Sequence, residues 1–135
     1  MAAGGSGALP SYPRIGGSLP DGWWFTDAVS PVVIAPLVEE FFFRAVLLVS
    51  VYAVMRRACG GVIAGGIAVV ASTGLFLLAH GLDAVDLDQV VSLALLGLVC
   101  GLTVVLTGRI WGAVLIHVVY NGSFVLLALA GTLLG

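Results

Sequence analysis

Four long apolar stretches, separated by short polar joints, make up most of the 135-residue chain. They cover residues 30–57, 60–82, 88–108 and 110–135, and each reaches the roughly 20 residues that a helix needs to cross a bilayer. Charged residues form only 9% of the chain, too few to cover the surface of a soluble domain. The sequence therefore predicts an all-α integral membrane protein with about four transmembrane helices, antiparallel neighbours and any polar site in the bundle core.

The segment 1–29 differs in composition from the rest of the chain. It is rich in Gly, Pro and Ser and lacks the apolar core of a signal peptide. We expect a flexible or interfacial N-terminal segment, with Trp23 and Trp24 at the membrane surface. The predicted domain division is thus 1–29 followed by a four-helix membrane domain at 30–135.

The few charges of the chain bear on its partners and its orientation. All five basic residues are arginine and form no basic tract, which argues against nucleic-acid binding. Arg56, Arg57 and Arg109 lie at joints on one side of the predicted bundle, and the acidic joint 83–88 lies on the other. The positive-inside rule then predicts that both termini are outside. We expect the protein in the cell (plasma) membrane, with the joint 83–88 exposed to solvent.

Six polar side chains interrupt the apolar stretches. They are Glu39, Glu40, Arg44, His80, His117 and Asn121. Ionisable residues within a membrane span are costly, face protein or water, and are functional candidates by default. Because the six come from three different spans, we expect a common polar cavity.

The two adjacent glutamates have different local partners. Glu40 and Arg44 are spaced i,i+4, so they share a helix face and can form an ion pair. Glu39 points about 100° away around the helix, and its own i+4 neighbour is the uncharged Phe43. Without a local cation, Glu39 is a candidate general base. The structural alternative for Glu39 is an ion pair with a distant histidine and no chemistry.

The histidines and the asparagine suggest complementary roles. His117 and Asn121 are also spaced i,i+4, so they can direct two N–H donors at one point, as an oxyanion hole does. Interhelical hydrogen bonds are the structural alternative. His80 ends the second stretch at a depth similar to Glu39, so a water could lie between them. An ordinary interfacial histidine is the alternative for His80.

These residues also form an ordered set of motifs. The stretch 39–44 reads E-E-x-x-x-R, the stretch 76–80 reads F-x-x-x-H, and the stretch 117–121 reads H-x-x-x-N. In this order, on consecutive helices, the motifs resemble those of the CAAX prenyl endopeptidase and bacteriocin-processing (CPBP, or Abi) family of intramembrane proteases. The resemblance extends over about residues 30–130.

The resemblance implies an intramembrane endopeptidase. By that likeness, Glu39 and His80 would activate the attacking water, while His117 and Asn121 would stabilise the tetrahedral oxyanion. The implied partners are the lipid bilayer and a peptide or protein substrate, prenylated or bacteriocin-like.

The same resemblance gives Glu40 and Arg44 a supporting role. Members of the family are often described as metalloproteases, and Glu39, His80 and His117 could together ligate zinc. The chain has no H-E-x-x-H motif, and we expect no tightly bound metal, with a divalent metal such as zinc as the alternative.

Some features depart from the family pattern. Ala45 follows the motif arginine where glycine is common, and Arg109 stands where serine is usual. The family usually has further helices before its first motif, which leaves open a truncated, a minimal or an inactive member.

Two other functions compete with the peptidase. One is a non-catalytic membrane binding or immunity protein of the same fold, and the other is an ion or proton conduit lined by Glu39, His80 and His117. A binding protein needs no general base beside paired donors, so the motif set favours the peptidase over it. A conduit needs polar residues along its whole length, and the third stretch offers few.

Overall fold

The computed structural model of the protein describes residues 9–14, 16–81 and 86–134, and its architecture is helical. In chain order the elements are a first π-helical segment Trp24–Ile34, helix α1 Ala35–Glu40, a second π-helical segment Phe41–Leu48, α2 Val49–Ala79, α3 Leu87–Thr107 and α4 Trp111–Leu134. The predicted all-α class is confirmed.

The first helical run, Trp24–Ala79, turns back on itself at one glycine. Gly60 has φ 77° and ψ 169°, a non-helical conformation that residues with a Cβ rarely adopt. The Ser72 hydroxyl donates to the carbonyl oxygen of Phe43 at 2.8 Å, and these residues lie on opposite sides of Gly60. The run therefore forms two antiparallel arms, with the turn at the predicted start of the second span.

The helices have the length and composition of membrane spans. Within the described ranges, three are long and apolar enough to cross a bilayer, namely Trp24–Ala79, Leu87–Thr107 and Trp111–Leu134. Because Gly60 divides the first of them, the prediction of about four spans is compatible with this count.

The first run begins earlier than the sequence predicted. Its helix starts at Trp24, not near residue 30. Pro31 lies in the interior of the first π-helical segment, although proline is usually found in the first turn of a helix. The predicted acidic joint 83–88 falls partly outside the described residues, and its described members Asp86 and Asp88 are exposed.

The chain divides into two compact units. One comprises Pro36–His117, and the other combines Met1–Ala35 with Val118–Gly135. The contacts within each unit are described in turn.

Within Pro36–His117, α2 and α3 pack closely through small residues. A Cβ added at Gly97 would lie 2.8 Å from Cγ2 of Thr73, and one added at Gly101 would lie 3.2 Å from Cγ1 of Val69. These paired positions run in opposite directions along the two helices, so the helices are antiparallel. Such close approach is typical of helices that associate in lipid.

The start of α4 packs antiparallel against α3 in the same unit. Gly108 ends α3 in the left-handed conformation, with φ 67°, which glycine adopts readily at a helix C-terminus. A Cβ at Gly112 would lie 2.9 Å from Cγ2 of Thr103, and the Cys100 thiol donates to the carbonyl oxygen of Ala113 at 3.5 Å.

The other unit holds part of the N-terminal segment against the end of α4. The Tyr12 N–H donates to Oγ1 of Thr132 at 2.8 Å, and the Tyr12 hydroxyl donates to the carbonyl oxygen of Asp27 at 3.1 Å. At Gly131, a Cβ would overlap the carbonyl oxygen of Pro10. Part of the N-terminal segment therefore makes specific contacts.

We expect Gly97→Ala to destabilise the protein by about 1–3 kcal/mol, because the added methyl group overpacks the contact with Thr73. The measurement is the free energy of unfolding in detergent. Gly66→Ala is the matched control, since nothing lies within 4 Å of a Cβ there. Thr73→Ser removes the closest methyl group and should restore part of the loss. Equal effects of Gly97→Ala with threonine or serine at position 73 would contradict the close contact.

Candidate active site

Five ionisable side chains of the unit Pro36–His117 form a contiguous group, called here the charged cluster. In spatial order they are Arg44, Glu40, His117, Glu39 and His80. Four of these five residues come from two of the three sequence motifs, and His117 begins the third. The helices thus bring distant motif residues to one place.

The inner end of the cluster is a buried ion pair. Arg44 Nε lies 3.2 Å from Glu40 Oε2, and both side chains are fully buried. Arg44 Nη2 also donates to the carbonyl oxygen of Gly97 at 3.2 Å, and the guanidinium lies 4.9 Å from the centre of the Phe76 ring. The ion pair expected from the i,i+4 spacing is present, and α3 supplies an additional acceptor for its cation.

Glu40 also fixes the orientation of His117. Oε1 of Glu40 lies 2.8 Å from Nδ1 of His117, and the histidine is 2% exposed. A carboxylate accepts hydrogen bonds, so Nδ1 carries the proton of this contact. The other ring nitrogen, Nε2, lies 3.7 Å from Oε2 of Glu39. Glu39 and Glu40 therefore face the two nitrogens of one imidazole ring.

His80 presents its Nε2 to the same carboxylate oxygen. Its Nδ1 lies 2.9 Å from the carbonyl oxygen of Phe76, and since a carbonyl oxygen only accepts, Nδ1 is the donor. Nε2 of His80 lies 3.9 Å from Oε2 of Glu39. In the neutral ring this Nε2 is an acceptor directed toward Glu39.

Oε2 of Glu39 is the common point of the outer cluster. This atom is buried, and it has no hydrogen-bond partner within the described ranges. Its separations of 3.7 and 3.9 Å from the two histidine nitrogens exceed those of direct hydrogen bonds. The cluster thus places an unpartnered carboxylate oxygen beside two imidazole nitrogens.

The outer cluster was also a candidate zinc site in the sequence. Among the residues that the structure describes, no group of three or more His, Cys, Asp and Glu side chains has an arrangement that would hold a metal ion. The expectation of no tightly bound metal, with zinc at Glu39, His80 and His117 as its alternative, stays a prediction, and no step below is written through a metal.

Asn121 belongs to the other unit, where it has a partner of its own. Its Nδ2 donates to the carbonyl oxygen of Pro31 at 2.8 Å. An amide nitrogen carries two hydrogens, so one of them is engaged by Pro31. The joint action of Asn121 and His117 on a substrate stays a prediction.

Phe76 has a part in the site that the sequence did not reveal. It is fully buried, and its ring centre lies 4.4 Å from that of His80 and 5.8 Å from that of His117. The guanidinium of Arg44 lies over the same ring. Phe76 thus contacts both histidines and the arginine, and the signal for this role was its place as the first residue of the F-x-x-x-H motif.

Ser72 is a second residue that the sequence did not single out. Its buried hydroxyl donates to the carbonyl oxygen of Phe43, one residue before Arg44. This bond joins α2 to the second π-helical segment, which carries the arginine. Mid-span serine occurs in many membrane helices, so only the fold identifies its partner.

Comparison with known proteins places the chain in a family. Residues 21–123 match the family model described as type II CAAX prenyl endopeptidase Rce1-like. The match spans most of the chain and contains the charged cluster and Asn121. No curated protein and no solved structure matches the chain.

We expect Phe76→Leu to destabilise the protein by about 1–3 kcal/mol, because leucine keeps the apolar bulk but loses the ring contacts with both histidines and with Arg44. The measurement is the free energy of unfolding in detergent. Phe42→Leu is the matched control, since Phe42 is 56% exposed. Equal losses for the two variants would show that Phe76 does not organise the cluster.

Proposed function

Because the chain belongs to the Rce1-like family of type II CAAX prenyl endopeptidases, we propose that it hydrolyses a peptide bond within the membrane. In this proposal Glu39 and His80 activate a water, and His117 and Asn121 stabilise the oxyanion. The observation that carries it is the buried Oε2 of Glu39, which faces two histidine nitrogens and has no hydrogen-bond partner in the described part of the chain.

Glu39 is the general base of the proposed reaction. A water beside Oε2 of Glu39 transfers one proton to the carboxylate as its oxygen attacks the peptide carbonyl carbon. Nε2 of His80 accepts a hydrogen bond from the same water and orients it. When the tetrahedral intermediate collapses, the carbon–nitrogen bond breaks and the proton on Glu39 passes to the leaving amine. The carboxylate of Glu39 is then regenerated.

His117 stabilises the oxyanion if its ring is protonated on both nitrogens. Glu40 then accepts from Nδ1–H, and Nε2–H is left to donate to the oxyanion.

Asn121 supplies the second oxyanion donor in this proposal. One hydrogen on its Nδ2 is engaged by the carbonyl oxygen of Pro31, which leaves the other for the substrate. Glu40 and Arg44 do not act on the substrate. They hold His117 in one orientation, because Glu40 contacts both the guanidinium and the imidazole.

The substrate belongs to the same proposal. We propose a peptide or protein that reaches the site from the bilayer of the cell membrane, either prenylated or bacteriocin-like. The reaction is proposed without a tightly bound metal, since a carboxylate can itself take the proton of an attacking water. A non-catalytic binding protein would tolerate the loss of the general base. The cleavage assay on Glu39→Gln therefore separates the two functions.

We expect Glu39→Gln to lower the rate of peptide cleavage by about 10²–10⁴-fold, because an amide cannot accept the proton of the attacking water. The folded state should be as stable as the parent or more stable, since a largely buried charge is removed. The measurements are cleavage per folded protein and a thermal melt in detergent. Cleavage close to the parent rate would reject Glu39 as the general base.

Glu40→Gln should have the opposite effect on stability. Its loss leaves the fully buried Arg44 without its ion-pair partner, and breaking a buried pair costs about 3–5 kcal/mol. We expect a correspondingly lower free energy of unfolding, and Glu39→Gln is the matched control. Adding Arg44→Met should recover much of the loss, because no unpaired charge remains. If Glu40→Gln alone melts like the parent, the ion pair of Glu40 with Arg44 does not stabilise the fold.

A further inference from the structure

Two prolines five residues apart, Pro31 and Pro36, interrupt the backbone hydrogen bonds of the first helical run. In a π-helix, the carbonyl oxygen of residue i accepts from the N–H of residue i+5. Ala35 N–H donates to the carbonyl oxygen of Ser30 in this pattern. The next bond would join residue 36 to the carbonyl oxygen of Pro31, but Pro36 has no N–H. The π-helical segment ends just before this proline, at Ile34.

A side chain from α4 takes the place of the missing donor. Asn121 Nδ2 donates to the carbonyl oxygen of Pro31 at 2.8 Å. Next to it, a Cβ at Gly122 would lie 3.6 Å from Cγ1 of Val32, so α4 approaches this backbone closely. Pro31, Val32, Asn121 and Gly122 all belong to one unit. In a membrane span, a carbonyl freed by proline needs such a substitute, because lipid offers none.

We propose that Pro36 is a positioning residue that acts through Asn121. By removing the backbone donor, Pro36 leaves the carbonyl oxygen of Pro31 to hold one N–H of the Asn121 amide, and this bond sets the direction of the other N–H. The orienting role of Pro36 rests on the proposed function, because it assumes that the second N–H of Asn121 donates to the oxyanion. The hydrogen bond from Asn121 to Pro31 does not depend on the proposed function.

A double-mutant cycle in detergent tests the compensation. Asn121→Leu removes the donor, and Pro36→Ala restores a backbone N–H that can reach Pro31. In the parent, Asn121→Leu should raise the unfolding equilibrium constant by about 3- to 20-fold, the range measured for hydrogen bonds in membrane proteins. In the Pro36→Ala background the effect should shrink to about 2-fold or less. The same fold-change in both backgrounds would overturn the proposal.

Ser123→Ala provides the matched control for this cycle. Ser123 lies near Asn121 on α4, but its hydroxyl donates locally to the carbonyl oxygen of Tyr120. Its effect should be the same with proline or alanine at position 36. A Ser123→Ala effect that also depended on position 36 would overturn the specific link between Pro36 and Asn121.

Cleavage kinetics add a readout that stability alone does not give. With Asn121 no longer held by Pro31, Pro36→Ala should lower kcat by about 10-fold or more and leave KM within about 2-fold, since an oxyanion donor acts in the transition state. If Pro36→Ala leaves kcat unchanged while the effect of Asn121→Leu on stability still depends on position 36, the orienting role is rejected. The hydrogen bond from Asn121 would then still compensate for the N–H that Pro36 lacks. Absence of cleavage by the parent protein would reject the proposed function, and the stability cycle would still decide the compensation.

Discussion

The two oxygens of Glu40 hold together the parts of the candidate site. Oε2 faces the Arg44 guanidinium at 3.2 Å, and Oε1 accepts from His117 at 2.8 Å. All three side chains are buried, where an uncompensated charge would be very unfavourable. One carboxylate thus compensates the arginine and selects the orientation of the histidine. Arg44 also donates to the carbonyl oxygen of Gly97, so the arginine that Glu40 holds links α3 to the site.

The sequence predicted the ion pair of Glu40 with Arg44 and the proximity of Glu39 to His80, but it missed the contact between Glu40 and His117. The i,i+4 spacing was sufficient for Glu40 and Arg44, since the fold of one helix determines their distance. The contact between Glu40 and His117 joins residues 77 positions apart, and helical spacing carries no information about it. Glu39 was expected near His80 from the antiparallel order of the spans, and that relation depends only on the turn at Gly60.

Other features depend on tertiary packing and on the backbone pattern. Phe76 reads as an ordinary apolar residue of a membrane helix until both histidines and Arg44 are placed around its ring. The early start of the first run at Trp24 depends on a π-helical segment that accommodates Pro31, and sequence rules place a proline in a first turn. Four apolar stretches nevertheless predicted the helical class correctly, because the bilayer restricts the folds available to such a chain.

Exposure increases along the charged cluster from Arg44 and Glu40 to Glu39 and His80. Arg44 and Glu40 are fully buried and His117 is 2% exposed, while the side chains of Glu39 and His80 are 27% and 32% exposed. The inner residues are held by ion pairs and hydrogen bonds, whereas Oε2 of Glu39 has no hydrogen-bond partner in the described ranges. The proposed hydrolysis needs a water and a substrate at the outer end and fixed charges at the inner end. In that proposal the adjacent residues Glu39 and Glu40 divide these tasks, because they face opposite nitrogens of one imidazole ring.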